Sequence, residues 1–462
     1  VEKFDVLVIG SGSGMIVAAS AVGSGMKTAL IESGPMGGTC INRGCVPSKM
    51  LIHPADVAVM ISEAEKVGVH ASVDSIDFGN IMTRMHELVT EDVERQARAV
   101  ETDPKIRWFK DAAEFVSEYT LKTGDHIVKA DKIFIVSGAR PDVPPVKGIE
   151  NVHYLTSDTV LNLELLPKNM IVIGGGYIAA EYGHFFSSLG TDVTIIQRSA
   201  LMLVDEEPEI SELITEEMGK RMKVFTNCEA VEASEKDNVK TVVAQSRTDG
   251  QLKEFSADAL LVAAGRVPNS DILKPEKTGV ELDKKGYVKV NEFLETRKKN
   301  IYAFGDAIGR QMFKHVANYE AQIVWHNSIH DHKVKMDYSA APHAVFTHPQ
   351  IASVGMKEAE ALQSGAKILV GRAFYKDTAQ GAAMAETKGF VKVIVEQKTG
   401  KILGAHIIGP YASMLIQEII NAMATGDGTF IPIIRGMHIH PSMSEVVQNA
   451  FVNLTDPHAH QD

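Results

Sequence analysis

Phe4-Asp5-Val6-Leu7-Val8-Ile9 runs directly into Gly10-Ser11-Gly12-Ser13-Gly14 near the start of a 462-residue chain. Apart from Asp5 the six-residue run is apolar, and it ends at a glycine, so it reads as a buried strand. The glycines read as a tight turn. Met15 to Ser24 is small and apolar enough for a closely packed helix, and Thr28-Ala29-Leu30-Ile31 is a second strand ending at Glu32. A tight glycine turn lets the backbone approach a pyrophosphate. The helix after it offers free N–H groups and the positive end of its dipole. An acid at the end of the second strand can bind both ribose hydroxyls. Gly10, Gly12 and Glu32 satisfy these needs. Met15 stands where the fingerprint places its third glycine, with Gly14 beside it.

The pattern returns about 160 residues later. Met170 to Ile173 is a strand, Gly174-Gly175-Gly176 a turn, Tyr177 to Leu189 a helix and Val193 to Ile196 the next strand. Gly174, Gly176 and Ala179 fit the fingerprint. The strand-end acid is absent, and Gln197 and Arg198 stand in its place. A neutral residue with a guanidinium suits a 2′-phosphate, which favours NADPH slightly over NADH. The alternative is that Arg198 is a plain surface charge. Two such units are far more specific than one.

Ile133 to Val136 runs into Ser137-Gly138, and Ala259 to Val262 runs into Ala263-Ala264-Gly265. Both read as chain crossings at domain boundaries. Ile301 to Phe304 is a further apolar strand, ending in Gly305-Asp306. The last ~120 residues alternate β-like stretches (Phe390 to Val395, Ile402 to Ile408) with an apolar helix, Met414 to Met423. Asp456 to Asp462 is expected to be a frayed tail.

Apolar residues make up 45% and charged residues 23%, an ordinary globular balance that excludes a disordered or collagen-like chain. Lys plus Arg is 47 against 59 Asp plus Glu, a net charge of −12, the opposite of a nucleic-acid binder. Arg297-Lys298-Lys299 reads as a solvated turn. Because a strand begins at Phe4, a secretory leader is not expected, and no apolar run reaches the ~20 residues that span a bilayer. A cytosolic chain is the expectation. Three cysteines in such a chain point to chemistry before disulfide staples.

Gly37-Gly38-Thr39-Cys40-Ile41-Asn42-Arg43-Gly44-Cys45-Val46-Pro47-Ser48-Lys49 follows the first unit. Four residues separate Cys40 from Cys45, and a proline and a lysine follow. A zinc site needs about four ligands and finds no second cysteine pair here, so no metal is expected. Two structural thiols are the plain reading. Thiol–disulfide exchange is the sharper one, since a thiolate is helped by a nearby cation or helix start. Cys228 has no partner and reads as structural. Exchange must also move protons, and an imidazole titrates in the right range. Among 17 histidines, His440 stands out. Pro441 fixes its backbone, and Glu445 is placed to orient the ring. His438 is the nearest rival.

On these motifs the chain resembles the class I pyridine nucleotide–disulfide oxidoreductases, which include dihydrolipoamide dehydrogenase, glutathione reductase, mycothione reductase and mercuric reductase. The resemblance covers essentially the whole chain. It implies an α/β fold with two Rossmann-like dinucleotide-binding domains and a C-terminal α+β dimerisation domain. The implied limits are 1–150 and 269–335 for the FAD-binding domain, 151–268 for the NAD(P)-binding domain and 336–462 for the dimerisation domain. It implies that Cys40 exchanges with substrate and Cys45 contacts the flavin. Lys49 would lie near flavin N5 with Glu181 as its ion-pair partner. Tyr177 would gate the nicotinamide pocket, Asp306 would bind the ribityl chain and Thr39 would lie near the pyrophosphate. The FAD set is Gly10, Gly12, Gly14, Glu32, Thr39, Gly138 and Asp306. The NAD(P) set is Gly174, Gly176, Tyr177, Ala179, Gln197, Arg198 and Gly265. His440 becomes the base and Glu445 its orienter, with His440 serving the cysteines of the other subunit in a homodimer.

The redox motif and the His-Pro ending resemble dihydrolipoamide dehydrogenase, the leading expectation, with a lipoyl domain or small dithiol as partner. The missing strand-end acid, together with Tyr154 to Val160, Lys314-His315-Val316-Ala317-Asn318, the segment from Val345 and Ala412 to Met423, resembles mycothione reductase. That supports an NADPH-dependent reductase of a low-molecular-weight disulfide as the alternative. A redox-inactive flavin- and nucleotide-binding sensor is a third reading.

Overall fold

A computed structural model of the chain describes residues 1–457, and residues 458–462 of the expected tail lie outside the described residues. Just before them Thr455 is pinned, its N–H donating to Val370 O at 3.0 Å.

The first strand, Glu2–Ile9, lies at the centre of a sheet. It pairs in parallel with Thr28–Ile31 on one side and with His126–Ile135 on the other. Ile106–Phe109 extends the sheet beyond Thr28–Ile31. Parallel pairing buries both faces, which explains why Val6, Leu7 and Val8 are all apolar and fully enclosed. The helix after the turn is Gly14–Gly23. A much later segment, Ile301–Ala303, returns to pair with His126–Ile135. The chain thus completes its first sheet only after building the second.

The second sheet is four parallel strands in the order Lys223–Phe225, Asp192–Ile196, Asn169–Ile173, Ala259–Val262. Its turn leads into the helix Tyr177–Ser188. An antiparallel meander, Cys228–Lys236, Val239–Ser246 and Leu252–Ala257, packs beside it. The two crossings pair with each other as a short ribbon, Ala139–Pro141 against Arg266–Pro268. Arg297-Lys298-Lys299 is a surface turn in which Arg297 pairs with Glu281 and Lys298 with Glu118. Five antiparallel strands form the C-terminal sheet, from Pro342–Val345 to Ile368–Phe374. The helices Ala412–Ala424 and Glu445–Val452 pack on it.

Candidate active site

The two glycine turns obey one steric rule. Gly10 has φ +108°, and a Cβ there would lie 2.2 Å from Val136 O. Gly174 has φ +125°, and its Cβ would lie 2.2 Å from Ala263 O. Each turn passes so close to the neighbouring strand end that only glycine fits. The third-glycine question has a clear answer. A Cβ on Gly14 would meet Val8 Cγ1 at 2.7 Å, so Gly14, not Met15, brings helix and strand together. Ala179, at the matching place in the second unit, is fully buried. Neither residue is among those lining the two cavities described below.

A cavity of about 1170 Å³ opens over the first turn. Gly10, Gly12, Glu32, Thr39, Gly138 and Asp306 line it, as do Cys40, Cys45, Lys49 and Glu181. Ser11 donates to Glu32 Oε2 through its backbone N–H (2.9 Å) and its hydroxyl (2.8 Å). Among the described residues Glu32 Oε1 accepts only Gly34 N–H, at 2.9 Å, so it keeps acceptor capacity. Ser11 Oγ also accepts from Gly37 N–H at 3.0 Å, which fastens the turn to the cysteine loop. Two buried polar atoms among the cavity-lining residues, Arg43 Nε and Ser137 Oγ, have no protein partner. Orphaned buried donors cost free energy unless a ligand meets them. The donor set, the glycine cradle and the acidic Glu32 all fit FAD.

Cys40 lies in the short helix Gly38–Arg43, and Cys45 begins the long helix Cys45–Glu63. Their thiols are hydrogen-bonded. That bond, and then Lys49, pull the Cys45 thiol down to about 6, against the effect of burial. The helix N-terminus adds to this. The same bond and burial push the Cys40 thiol up. The bond between the two sulfurs thus favours the charged form of Cys45 over that of Cys40. Lys49 Nζ donates to both Glu181 oxygens at 2.9 and 2.8 Å. Phe346 N–H donates to Glu181 Oε1 at 3.0 Å, and the Lys49 ammonium lies 4.6 Å from the Phe346 ring centroid. Asp306 is pushed up by burial, which Arg266 Nε at 4.0 Å opposes.

A second cavity of about 1490 Å³ lies over the second turn, lined by Gly174, Gly176, Gln197, Arg198 and Gly265. The unpaired Cys228 is on its wall. The two cavities share Tyr177, Ile178, Arg266, Met312, Phe313 and His343. Tyr177 therefore stands at their junction, and burial pushes its phenol up to about 12. Gln197 is buried, and its Nε2 donates to Leu201 O at 3.1 Å. Its side chain lies under the turn, where a Cβ on Gly175 would meet it at 2.5 Å. Arg198 is exposed, and no ion pair engages it among the described residues.

His440 Nδ1 lies 2.8 Å from Glu445 Oε1, and Ser442 N–H donates to Oε2 at 3.0 Å. The His440 hydrogen bond holds the Glu445 carboxyl below the usual carboxylate range. His440 is 74% exposed and lines neither cavity of its own chain. Met414, Met437, Ile439 and Val452, all exposed and apolar, lie on the same C-terminal unit. His438 pairs with Glu418 at 2.7 Å, so a carboxylate alone does not single out His440.

Sequence reading passed over Lys314, Arg266, Arg43 and Ser137, all of which line the first cavity. The signal for Lys314 was its place eight residues after Asp306, at the start of the helix Lys314–Ile329.

Known proteins share this arrangement. Residues 4–321 match the family model of pyridine nucleotide-disulphide oxidoreductases, and residues 341–451 match that of their dimerisation domain. A mycothione reductase of Mycobacterium tuberculosis is 37% identical over 98% of this chain and 100% of its own length. A dihydrolipoyl dehydrogenase of Chlamydia muridarum is 34% identical over 99% of this chain and 98% of its own. The solved structure of the HOCl-induced flavoprotein disulfide reductase RclA from Escherichia coli is 29% identical, with a TM-score of 0.85, and covers 97% of this chain and 99% of that one. Two fingerprint turns, a hydrogen-bonded cysteine pair and matches across nearly the whole length lead to one conclusion: the chain belongs to the pyridine nucleotide-disulphide oxidoreductase family.

Proposed function

We propose that this flavoprotein disulfide oxidoreductase is an NADPH-dependent reductase of a low-molecular-weight disulfide. One observation carries the choice. The strand end that would hold an acid for NADH offers instead the exposed guanidinium of Arg198, on the wall of the second cavity and in no ion pair among the described residues. The greater identity to mycothione reductase supports the same reading. The dihydrolipoamide dehydrogenase reading, with a lipoyl domain as partner, keeps the support of the 34% relative and of the shared redox and His-Pro motifs. On either reading the protein is a homodimer, as its dimerisation domain indicates.

FAD, when bound, supplies two-electron chemistry between the nicotinamide and the thiol pair. Glu32 would hold its ribose, the Gly10–Gly14 turn and Thr39 its pyrophosphate, and Asp306 its ribityl chain. Gly138 leaves the wall of that cavity open. Gly174, Gly176 and Gly265 would admit the nicotinamide nucleotide, with Arg198 on its 2′-phosphate and Tyr177 as the gate. Lys49, oriented by Glu181, would favour the charged state of Cys45. Gln197, turned toward Leu201, would hold the second turn and not the ribose.

In the reductive half, the Cys40 Sγ attacks one sulfur of the substrate disulfide. A mixed disulfide forms and one thiolate leaves. The partner subunit's His440, oriented by Glu445, takes the Cys40 proton and returns it to the leaving thiolate. The Cys45 thiolate then attacks the Cys40 sulfur, restoring the Cys40–Cys45 disulfide and releasing the second thiolate, which takes its proton from water. Two electrons and two protons are consumed per disulfide. Its high exposure and its absence from both cavities of its own chain support the cross-subunit role of His440. The domain limits 1–150 with 269–335, 151–268 and 336–462 belong to this proposal, as does a cytosolic location suited to reducing chemistry.

The test is kcat/KM for NADPH and for NADH with a panel of cellular disulfides, beside turnover of dihydrolipoamide with NAD⁺. A preference for NADPH with a small disulfide supports the proposal. Turnover of dihydrolipoamide at or above about 10⁴ M⁻¹s⁻¹ with NAD⁺ assigns the chain to the second reading.

A further inference from the structure

One ion pair sits where three parts of the chain meet. Lys49 comes from the helix Cys45–Glu63, Glu181 from the helix Tyr177–Ser188, and Phe346 directly follows the strand Pro342–Val345 of the C-terminal sheet. All three line the first cavity, as do Cys40 and Cys45. One apolar cluster holds these segments together. Leu51 and Ala55 enter it from the first helix, Tyr182 and Phe185 from the second, and Val345 from the strand. Beyond Phe346 the chain is fixed again, since Thr347 is buried and its hydroxyl donates to Pro349 O at 2.7 Å.

Phe346 meets the pair twice. Its N–H donates to Glu181 Oε1 at 3.0 Å, and the Lys49 ammonium lies over its ring, 4.6 Å from the centroid. The two contacts do different things. The Glu181 side chain is 7% exposed, against 35% for Lys49. A buried carboxylate is costly unless donors reach it. The Phe346 N–H joins Lys49 in meeting that need. Lys49 has a flexible four-carbon stem and borders the cavity, so the carboxylate alone leaves its ammonium some freedom. The ring removes it, because an aromatic face attracts a cation, most strongly where water is excluded. The ammonium also reaches Ser48 Oγ at 3.3 Å, and that hydroxyl donates to Cys45 O at 3.3 Å. A continuous line of hydrogen bonds thus runs from Phe346 through Glu181, Lys49 and Ser48 to the backbone of Cys45.

We infer that Phe346 is a positioning residue that holds the Lys49–Glu181 ion pair in the wall of the first cavity, its ring on the ammonium and its N–H on the carboxylate. The inference rests on reading Lys49 as a group of the redox centre. It gives the C-terminal unit, whose residues 341–451 match the dimerisation domain, a part in setting the charge geometry of that cavity. The N–H contact survives substitution of Phe346, whereas the ring contact depends on the side chain. Leucine keeps the N–H and an apolar side chain but has no π-face. Tyrosine keeps all three.

The experiment measures how fast the Lys49 amine is acylated in the flavin-loaded protein, using pulses of an acetyl N-hydroxysuccinimide ester read by mass spectrometry. Lys392, buried and paired with Glu358 at 2.7 Å, is the internal control. In Phe346→Leu, Lys49 reacts about fivefold faster, the factor that a cation–ring contact of ordinary strength holds. Lys392 keeps its rate, and NADPH bleaches the flavin more slowly. Phe346→Tyr matches wild type throughout. An unchanged Lys49 rate in Phe346→Leu overturns the inference. So does a gain that Phe346→Tyr shares, because shape and not the π-face would then be at work. Flavin absorbance is recorded for each sample, and if Phe346→Leu binds no flavin its acylation is compared with flavin-free wild type. If Phe346→Leu speeds Lys392 as well, the wild-type protein decides. With its lysines labelled by ¹³C, the Phe346 ring current moves the Lys49 ε-methylene protons upfield of those of free lysine, and an unshifted resonance overturns the inference. Failure of the underlying reading looks different. In that case Lys49 reacts faster in Phe346→Leu, yet NADPH bleaches the flavin at the wild-type rate.

Discussion

Arg198→Ala is the sharpest test of the coenzyme site. The guanidinium is exposed, and no carboxylate pairs with it among the described residues. Its removal strands no partner, so the fold should keep its stability. Hydrogen bonds to charged groups are worth about 1.5–3 kcal/mol. Water competes at an exposed site, so the lower end applies, about 1.5 kcal/mol, or roughly a tenfold loss in binding. NADH has no 2′-phosphate and loses nothing. The ratio of kcat/KM for NADPH to that for NADH should therefore fall about tenfold, with the thermal midpoint unchanged. The reciprocal change, Gln197→Glu, is a poor switch. Gln197 is 7% exposed and donates to Leu201 O, which a carboxylate cannot do. That variant should lose about 1–3 kcal/mol of stability before it gains any NADH. A ratio that stays within twofold in a folded Arg198→Ala would refute the reasoning.

Three further outcomes are expected. Glu445→Ala should slow disulfide turnover about tenfold or more while NADPH still bleaches the flavin, and loss of the bleaching step instead would remove His440–Glu445 from the proton path. The reduced protein should gain stability as pH rises. The Cys45 thiol is held at about 6 when folded against about 8.5 when unfolded, so the unfolded chain carries more protons between those values. The contribution is complete above about pH 8.5 and is lost as pH falls through about 6. Melting of reduced wild type against Cys45→Ala reads it, and parallel curves would contradict the thiolate assignment. Gly10→Ala puts a Cβ at 2.2 Å from Val136 O in a left-handed backbone, which should cost about 3 kcal/mol or more and empty the flavin site. A variant with full flavin content would show that the turn tolerates a side chain.

Local patterns were legible because neighbours along the chain carried them. The Gly10–Gly14 and Gly174–Gly176 turns each follow an apolar strand, and nothing distant is needed to read them. Ala259–Val262 and Ile402–Ile408 have the extents expected from their apolar runs. The expected helix Met414 to Met423 is longer, Ala412–Ala424. The third-glycine question was harder. Whether Gly14 or Met15 brings helix and strand together depends on Val8, and only the packed pair shows that Gly14 does.

The sequence by itself determined what kinds of groups are present and in what order: two nucleotide turns, a spaced cysteine pair and a histidine with a carboxylate five residues on. Those are local facts, fixed by backbone sterics and by short spacing. Tertiary structure decided the electrical character of the site, because electrostatics depends on distance through space. Lys49 meets Glu181 across 132 residues, and Ser13 meets Lys314 across 301. The fold alone pushes the Cys45 thiol down and the Cys40 thiol up, through the hydrogen bond between the two sulfurs. It turns the Gln197 amide inward and leaves Arg198 facing the nucleotide cavity, a difference between adjacent residues that composition and spacing do not contain.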